Sequence, residues 1–361
     1  MRAVISLVIG LAIIVAVAIG LSAAQSPVDQ LQQTAQALFA PLPEVVDNPA
    51  NPVTPDKVEL GRMLWHEPRL SLSGFISCNS CHNLATFGVD NLPTSIGHRW
   101  QVGPRNSPTV LNAALHTMQF WDGRAADLEE QAKGPIVNPI EMAIPDHDFA
   151  VARIASMPEY VARFAVAFPE APEVTYVNIA HALAAFQRTL MTPDRFDDFL
   201  RGDVTALSEQ ERAGLQVFIN QGCAGCHIGP ALGGTMMTRF GVVEAYWEAT
   251  RAFVTPGTPT IPMDVGRFAV THDPADLYVF KVPSLRNITR TYPYFHDGLV
   301  WGLRDATQVM ARVQMGRVIP EEELDALMAF YQALEGEMPA HALVIPVLPA
   351  STEETPRPSN R

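Results

Sequence analysis

Cys78-Asn79-Ser80-Cys81-His82 is the stretch from which the rest of the chain is read. Two thiols three positions apart, followed at once by an imidazole, form the attachment pattern of a c-type haem. Each thiol adds to a vinyl group, and the histidine ligates the iron. The pattern recurs at Cys223-Ala224-Gly225-Cys226-His227. The chain has 4 cysteines, so the two motifs use all of them and leave none for a disulfide. A Cys/His zinc site is the competing explanation, but in both copies the histidine follows the second cysteine directly. Two covalently bound haems c are expected, one on Cys78, Cys81 and His82, the other on Cys223, Cys226 and His227.

A chain of 361 residues has room for two domains and a sizeable core. Charged residues make up 17% and hydrophobic ones 48%, the balance of a globular protein. A net charge of −13 argues against nucleic acid as a partner. It suits electrostatic docking of a basic soluble protein, or plain solubility. At the N-terminus, Arg2 precedes an apolar run over 3–21, and Ser22-Ala23-Ala24 offers small residues for cleavage. The run is long for a signal peptide and close to the ~20 residues that span a bilayer. Residues 1–24 are expected to be a signal peptide or an uncleaved N-terminal membrane anchor. Either way the remainder is exported, as haem c attachment outside the bacterial cytoplasm requires, and a periplasmic location is expected.

The fold is expected to be mainly α, with extensive loops and no strand-rich region. Helix-compatible stretches are 25–40, 55–67 behind the Thr54-Pro55 cap, 110–118, 127–133, 148–168 and one capped by Thr175. Residues 191–203 read as a junction, with Pro193 and Gly202 as breakers. Ser208 and Glu211 form a capping box for the helix before the second motif. Residues 229–262 should be irregular, 303–313 and 320–334 helical, and the tail from 342 extended.

The halves share more than the haem motifs. Pro108, Asn112, Phe120, Asp122, Gly123 and Leu128 recur with the same spacing as Pro283, Asn287, Phe295, Asp297, Gly298 and Leu303. Two cytochrome-c-like haem domains related by internal duplication are therefore expected. The differences between copies carry information. Trp121 stands where His296 stands, and Pro135, which cannot ligate iron, stands where Met310 stands.

The sixth iron position decides the chemistry: a fixed ligand makes an electron carrier, an open one admits peroxide. Met310, Met315, Met236 and Met237 are candidates at the second haem, and spacing does not choose among them. At the first haem, His98 lies in the loop Ser95-Ile96-Gly97-His98 and could swing on and off the iron. Gln131 and Glu141 follow the Trp121-Asp122-Gly123 turn within reach of a distal pocket, where peroxide cleavage needs a proton shuttle. Trp121 is either an aromatic between the haems or a core residue.

Taken together these residues resemble the bacterial di-haem cytochrome c peroxidase family. The resemblance is carried by Gly61-Arg62-Met63-Leu64, Pro93 through His98, Gly103 through Asn106, Phe120 through Arg124, Asn138 through Met142, and Phe280 through Gly298. It implies a first domain over 25–190, joined by the tail 338–361, with a peroxidatic haem, and a second domain over 191–337 that receives electrons. It implies His98 as a distal ligand that leaves on reduction, and Met310 as the second haem's axial ligand. Gln131 and Glu141 would line the distal pocket, Glu141 as acid/base, with Trp121 between the haems. Asn106, Thr291 and Pro293 would hold calcium, the last two through backbone carbonyls. The implied reaction takes H2O2, two electrons and two protons to two waters. The implied donor is a small periplasmic cytochrome c or cupredoxin, and the implied assembly a homodimer. A di-haem electron carrier and a haem oxidase of a protein partner are the alternatives. The branch that matures a tryptophan-derived cofactor has a tyrosine at the axial methionine position, and Met310 argues against it.

Overall fold

The computed structural model describes residues 26–254 and 263–360, so the expected signal or anchor lies outside the described residues. Helices dominate. The one sheet among the described residues pairs Met237–Arg239 antiparallel with Val279–Lys281, Met237 opposite Lys281. No described helix is long and apolar enough to cross a membrane.

The caps act as their chemistry dictates. Thr54, Asp127 and Thr175 accept hydrogen bonds from the backbone N–H groups of Lys57, Glu130 and Asn178, opening Pro55–Trp65, Leu128–Val137 and Tyr176–Gln187. Ser208 and Glu211 close a capping box on Glu209–Asn220. Four local expectations fail. Residues 229–262, expected to be irregular, contain the strand Met237–Arg239 and the short helix Tyr246–Thr250. Residues 110–118 hold only the short 3-10 turn Ala113–Leu115, because Asn112 is left-handed at φ 59°. The helix expected over 148–168 is two helices, His147–Ala155 and Pro158–Ala167, since Pro158 has no N–H with which to continue the first. The junction over 191–203 contains the helix Arg195–Arg201, whose Phe196, Phe199 and Leu200 are buried.

The two largest hydrophobic cores among the described residues each form around one close helix crossing. Pro55–Trp65 packs on Tyr176–Gln187 in the first, and Glu209–Asn220 on Glu321–Ala333 in the second. A glycine sits at each crossing. A Cβ on Gly61 would lie 2.0 Å from the Ala182 carbonyl oxygen, and one on Gly214 would lie 1.9 Å from that of Ala326. Only glycine permits such an approach. Trp65 then packs on Phe186 and His82, as Phe218 packs on Phe330 and His227.

Between the cores, Asn112 and Asn287 are both left-handed, at φ 59° and 60°. Both side-chain amides donate to the Thr192 hydroxyl, each at 2.8 Å. Their backbone N–H groups donate to Leu190 and Leu334, each at 2.9 Å. Arg286, fully buried, pairs with Asp194 at 2.5 Å and Asp197 at 2.7 Å. The C-terminal tail returns to the first core. Ala342 and Leu348 join it, and Arg69 and Arg153 donate to the carbonyls of Pro349 and Arg357. The helix Pro27–Leu38 lies on the second core through Leu31 and Ala35, although the expected boundary at 25 groups it with the first motif.

Candidate active site

Cys78–Cys81 is a single helical turn capped by Ser77, and His82 leaves it in a non-helical conformation. Both thiols and the imidazole line one cavity of about 710 Å³. The His82 Nδ1 lies 3.3 Å from the Gly88 carbonyl oxygen and 3.2 Å from the Ser107 hydroxyl. In the second motif, His227 Nδ1 lies 3.0 Å from the Leu232 carbonyl oxygen. Such carbonyl partners fix the tautomer and turn Nε2 outward as a ligand. Burial lowers the pKa of both rings, which favours the neutral form that binds iron. All four cysteines are free of disulfides, and burial pushes the Cys78 thiol up to about 12 and the Cys81 and Cys223 thiols up to about 11. The donor set at each motif fits haem c.

The first cavity also takes Trp121, Gln131, Pro135, Asn138 and Glu141 into its wall. The Glu141 carboxyl is raised above the ordinary range, first by burial; Arg124 and Asn138 oppose the shift. The Asn138 amide donates to Glu141 Oε1 at 2.7 Å. A buried carboxyl lifted in this way holds its proton to higher pH than an exposed one, and with one donor still supporting its ionised form it can both give and take a proton. Asn138 stands within the Asn138-Pro139-Ile140-Glu141 run, so that signal was in the sequence. Arg124 follows the Trp-Asp-Gly turn and lies over the Phe120 ring at 3.4 Å. The second half contributes Met263, Asp264, Val265, Ala269 and Val270 to this same wall, which no local pattern announces.

His98 is 4% exposed, and its buried Nδ1 has no hydrogen-bond partner. Its side chain is not part of the cavity wall, whereas Gly97 is. Its backbone N–H donates to the Glu141 carbonyl at 2.8 Å, so the loop rests on the Glu141 segment. Arg99 and Trp100 follow with φ of 58° and 61°, conformations that cost energy outside glycine.

The second cavity is narrower and is lined by Cys223, His227, Met310 and Met315. Met236 and Met237 are absent from its wall. Asn106, Thr291 and Pro293, expected to hold calcium, line this cavity together. The Asn106 amide donates to the Leu92 and Pro93 carbonyls at 2.9 and 3.2 Å. Trp121 lines both cavities, and its indole N–H donates to the Asn106 carbonyl at 2.9 Å.

The di-haem cytochrome c peroxidase family profile matches residues 55–205. The chain is 46% identical to the cytochrome c551 peroxidase of Pseudomonas aeruginosa over 335 residues, 92% of this chain and 93% of that protein. It is 48% identical to the cytochrome c551 peroxidase of Nitrosomonas europaea over 313 residues, covering 86% and 89%. The methylamine utilization protein MauG of Methylorubrum extorquens is 35% identical, covering 91% and 92%. Among solved structures, a MauG-like protein associated with microbial copper homeostasis aligns with a TM-score of 0.71 at 26% identity, covering 84% of this chain and 97% of that one. With this coverage and identity, and a haem motif on each of two cavities, the chain belongs to the di-haem cytochrome c peroxidase family.

Proposed function

We propose that this protein reduces H2O2 to water at the first cavity with electrons received at the second. The observation that carries this reading is the difference between the two cavities. One has a buried carboxyl, Glu141, with Gln131 in a roomy wall; the other has a thioether, Met310, on a narrow one. Cys78, Cys81 and His82 would hold the peroxidatic haem, and Cys223, Cys226 and His227 would hold the electron-accepting one. The haems supply the redox chemistry when bound. Glu141 takes a proton from one peroxide oxygen and returns it to the other, while Gln131 and Asn138 orient peroxide and carboxyl. Trp121 lines both cavities, and Met310 would ligate the iron of the second haem.

The same reading extends to the chain's organisation. The matched glycine crossings, the paired left-handed asparagines and the shared spacing support descent from one duplicated unit. Residues 25–190 with the tail 338–361 form the peroxidatic domain, and 191–337 the electron-accepting one, with the N-terminal helix crossing over to it. Asn106 and the carbonyls of Thr291 and Pro293 bind calcium. The enzyme works in the periplasm as a homodimer, behind a cleaved signal or an N-terminal anchor, and takes electrons from a small cytochrome c or cupredoxin. Oxidation of a protein partner, the alternative raised above, is disfavoured by Met310 on the second cavity wall.

The test is Glu141→Gln in holoprotein carrying two haems. Peroxide turnover should fall by about 10²–10⁴-fold while the haem spectra stay intact. Near-normal turnover would remove Glu141 from the mechanism. Both irons staying six-coordinate on half-reduction would point to an electron carrier instead.

A further inference from the structure

Lys281 is 6% exposed, a cation inside the molecule. Its ammonium donates to His116 Nδ1 at 2.8 Å. No carboxylate among the described residues forms a salt bridge with it, and burial alone drags its pKa down to about 7. With Nδ1 accepting, His116 carries its proton on Nε2, and that buried nitrogen has no partner. The His116 ring is held edge-on to the backbone of Gly234, where a Cβ would lie 2.0 Å from Cδ2. Both side chains line both cavities. Two spare ammonium hydrogens and one imidazole N–H therefore stand unmatched where the two haem sites meet. A buried cation in this state is costly unless an anion completes it.

The repeat identifies what stands at the mate of this pair. Lys281 precedes Pro283 by two positions, as Asn106 precedes Pro108; His116 precedes Phe120 by four, as Thr291 precedes Phe295. The backbone agrees. The Asn106 N–H donates to the His296 carbonyl at 2.7 Å, and the Lys281 N–H donates to the Trp121 carbonyl at 2.8 Å. His296 and Trp121 are themselves repeat mates. Lys281 with His116 thus occupies in one half the position that Asn106 with Thr291, the expected calcium ligands, occupies in the other.

We infer that Lys281 and His116 form a built-in cationic site that binds a carboxylate of the haem at the seam between the two cavities, an ammonium standing where the other half uses a metal ion. The inference rests on haem loading and on the duplication proposed above. No carboxylate side chain among the described residues lines both cavities, so the carboxylate that would complete the pair is a propionate of a bound haem. A propionate completes the unmatched donors, and the ammonium compensates its charge, which raises the potential of the haem that carries it.

The test is redox titration of the two haems in holo wild type, Lys281→Met, Lys281→Gln and Lys281→Arg. Haem content and peroxide turnover of the wild type, measured on the same preparation, report separately on the functional reading. The neutral variants should load two haems and lower the midpoint potential of at least one, while Lys281→Arg should stay close to wild type. Either neutral variant carrying two haems with both potentials unchanged would overturn the inference. So would an arginine variant shifted as far as the neutral ones, because charge would then not be the cause.

Discussion

Gly214→Ala tests the close crossing of Glu209–Asn220 over Glu321–Ala333. The new methyl carbon would lie 1.9 Å from the Ala326 carbonyl oxygen and 2.7 Å from Phe330 Cβ. Ordinary contact begins near 3.4 Å, so the helices must part by about 1.5 Å, and the obstacle is backbone that cannot rotate away. Phe330, Phe218 and Leu215, all fully buried in the same core, would lose packing as the helices part. Overpacking of this kind costs about 1–3 kcal/mol, and lost packing around the gap adds to it. At about 2–4 °C per kcal/mol, the apparent melting midpoint of the holoprotein should drop by roughly 2–12 °C. Gly134→Ala is the internal control. It lies within Leu128–Val137, its Cβ would meet Phe120 at an ordinary 3.4 Å, and alanine favours a helix. That variant should be neutral or slightly more stable. Circular dichroism melts of the two variants side by side decide the matter. A Gly214→Ala midpoint equal to that of Gly134→Ala would refute the crossing geometry.

Asn138→Ala removes the donor that favours ionised Glu141, so the carboxyl, already raised by burial, should rise further. The acid limb of the peroxide turnover profile should then move to higher pH, and an unmoved limb would separate Asn138 from the proton transfer. The sign for stability follows. A carboxyl raised by burial favours the fold in its protonated form, so its contribution is present below the ordinary carboxylate range and fades as pH rises through the raised value. Met310→His should lower the potential of the second haem and slow its reduction. An unchanged potential in redox titration would assign the ligand elsewhere, with Met315 the other methionine on that wall.

The parts of this molecule that a sequence can disclose are those whose cause is local. The two haem motifs are covalent chemistry written in five residues. Thr54, Asp127, Thr175 and Ser208 announce helices because a cap acts over three positions. Glu141, Gln131 and His82 were expected near one pocket, and they line one wall or, for the ring, one cavity. What was not legible depends on distant partners. The 110–118 stretch has helical composition, but Asn112 is drawn left-handed toward Thr192, far along the chain. The Pro27–Leu38 helix shows an apolar stripe without saying which core receives it. The 263–270 segment reaches the first cavity from the opposite half. Lys281 reads as an ordinary surface cation until its burial against His116 is seen.

The Thr192 hydroxyl receives one amide from each half, and no other atom of that side chain is available to replace it. Swinging one core against the other at this point would part the two asparagines and strand at least one buried amide, at about 1–3 kcal/mol. The seam therefore behaves as a rivet rather than a hinge. The spacing of the two haem motifs is set when the chain folds, and any change that opens the first cavity is left to its loops, with His98 and its strained neighbours nearest to hand.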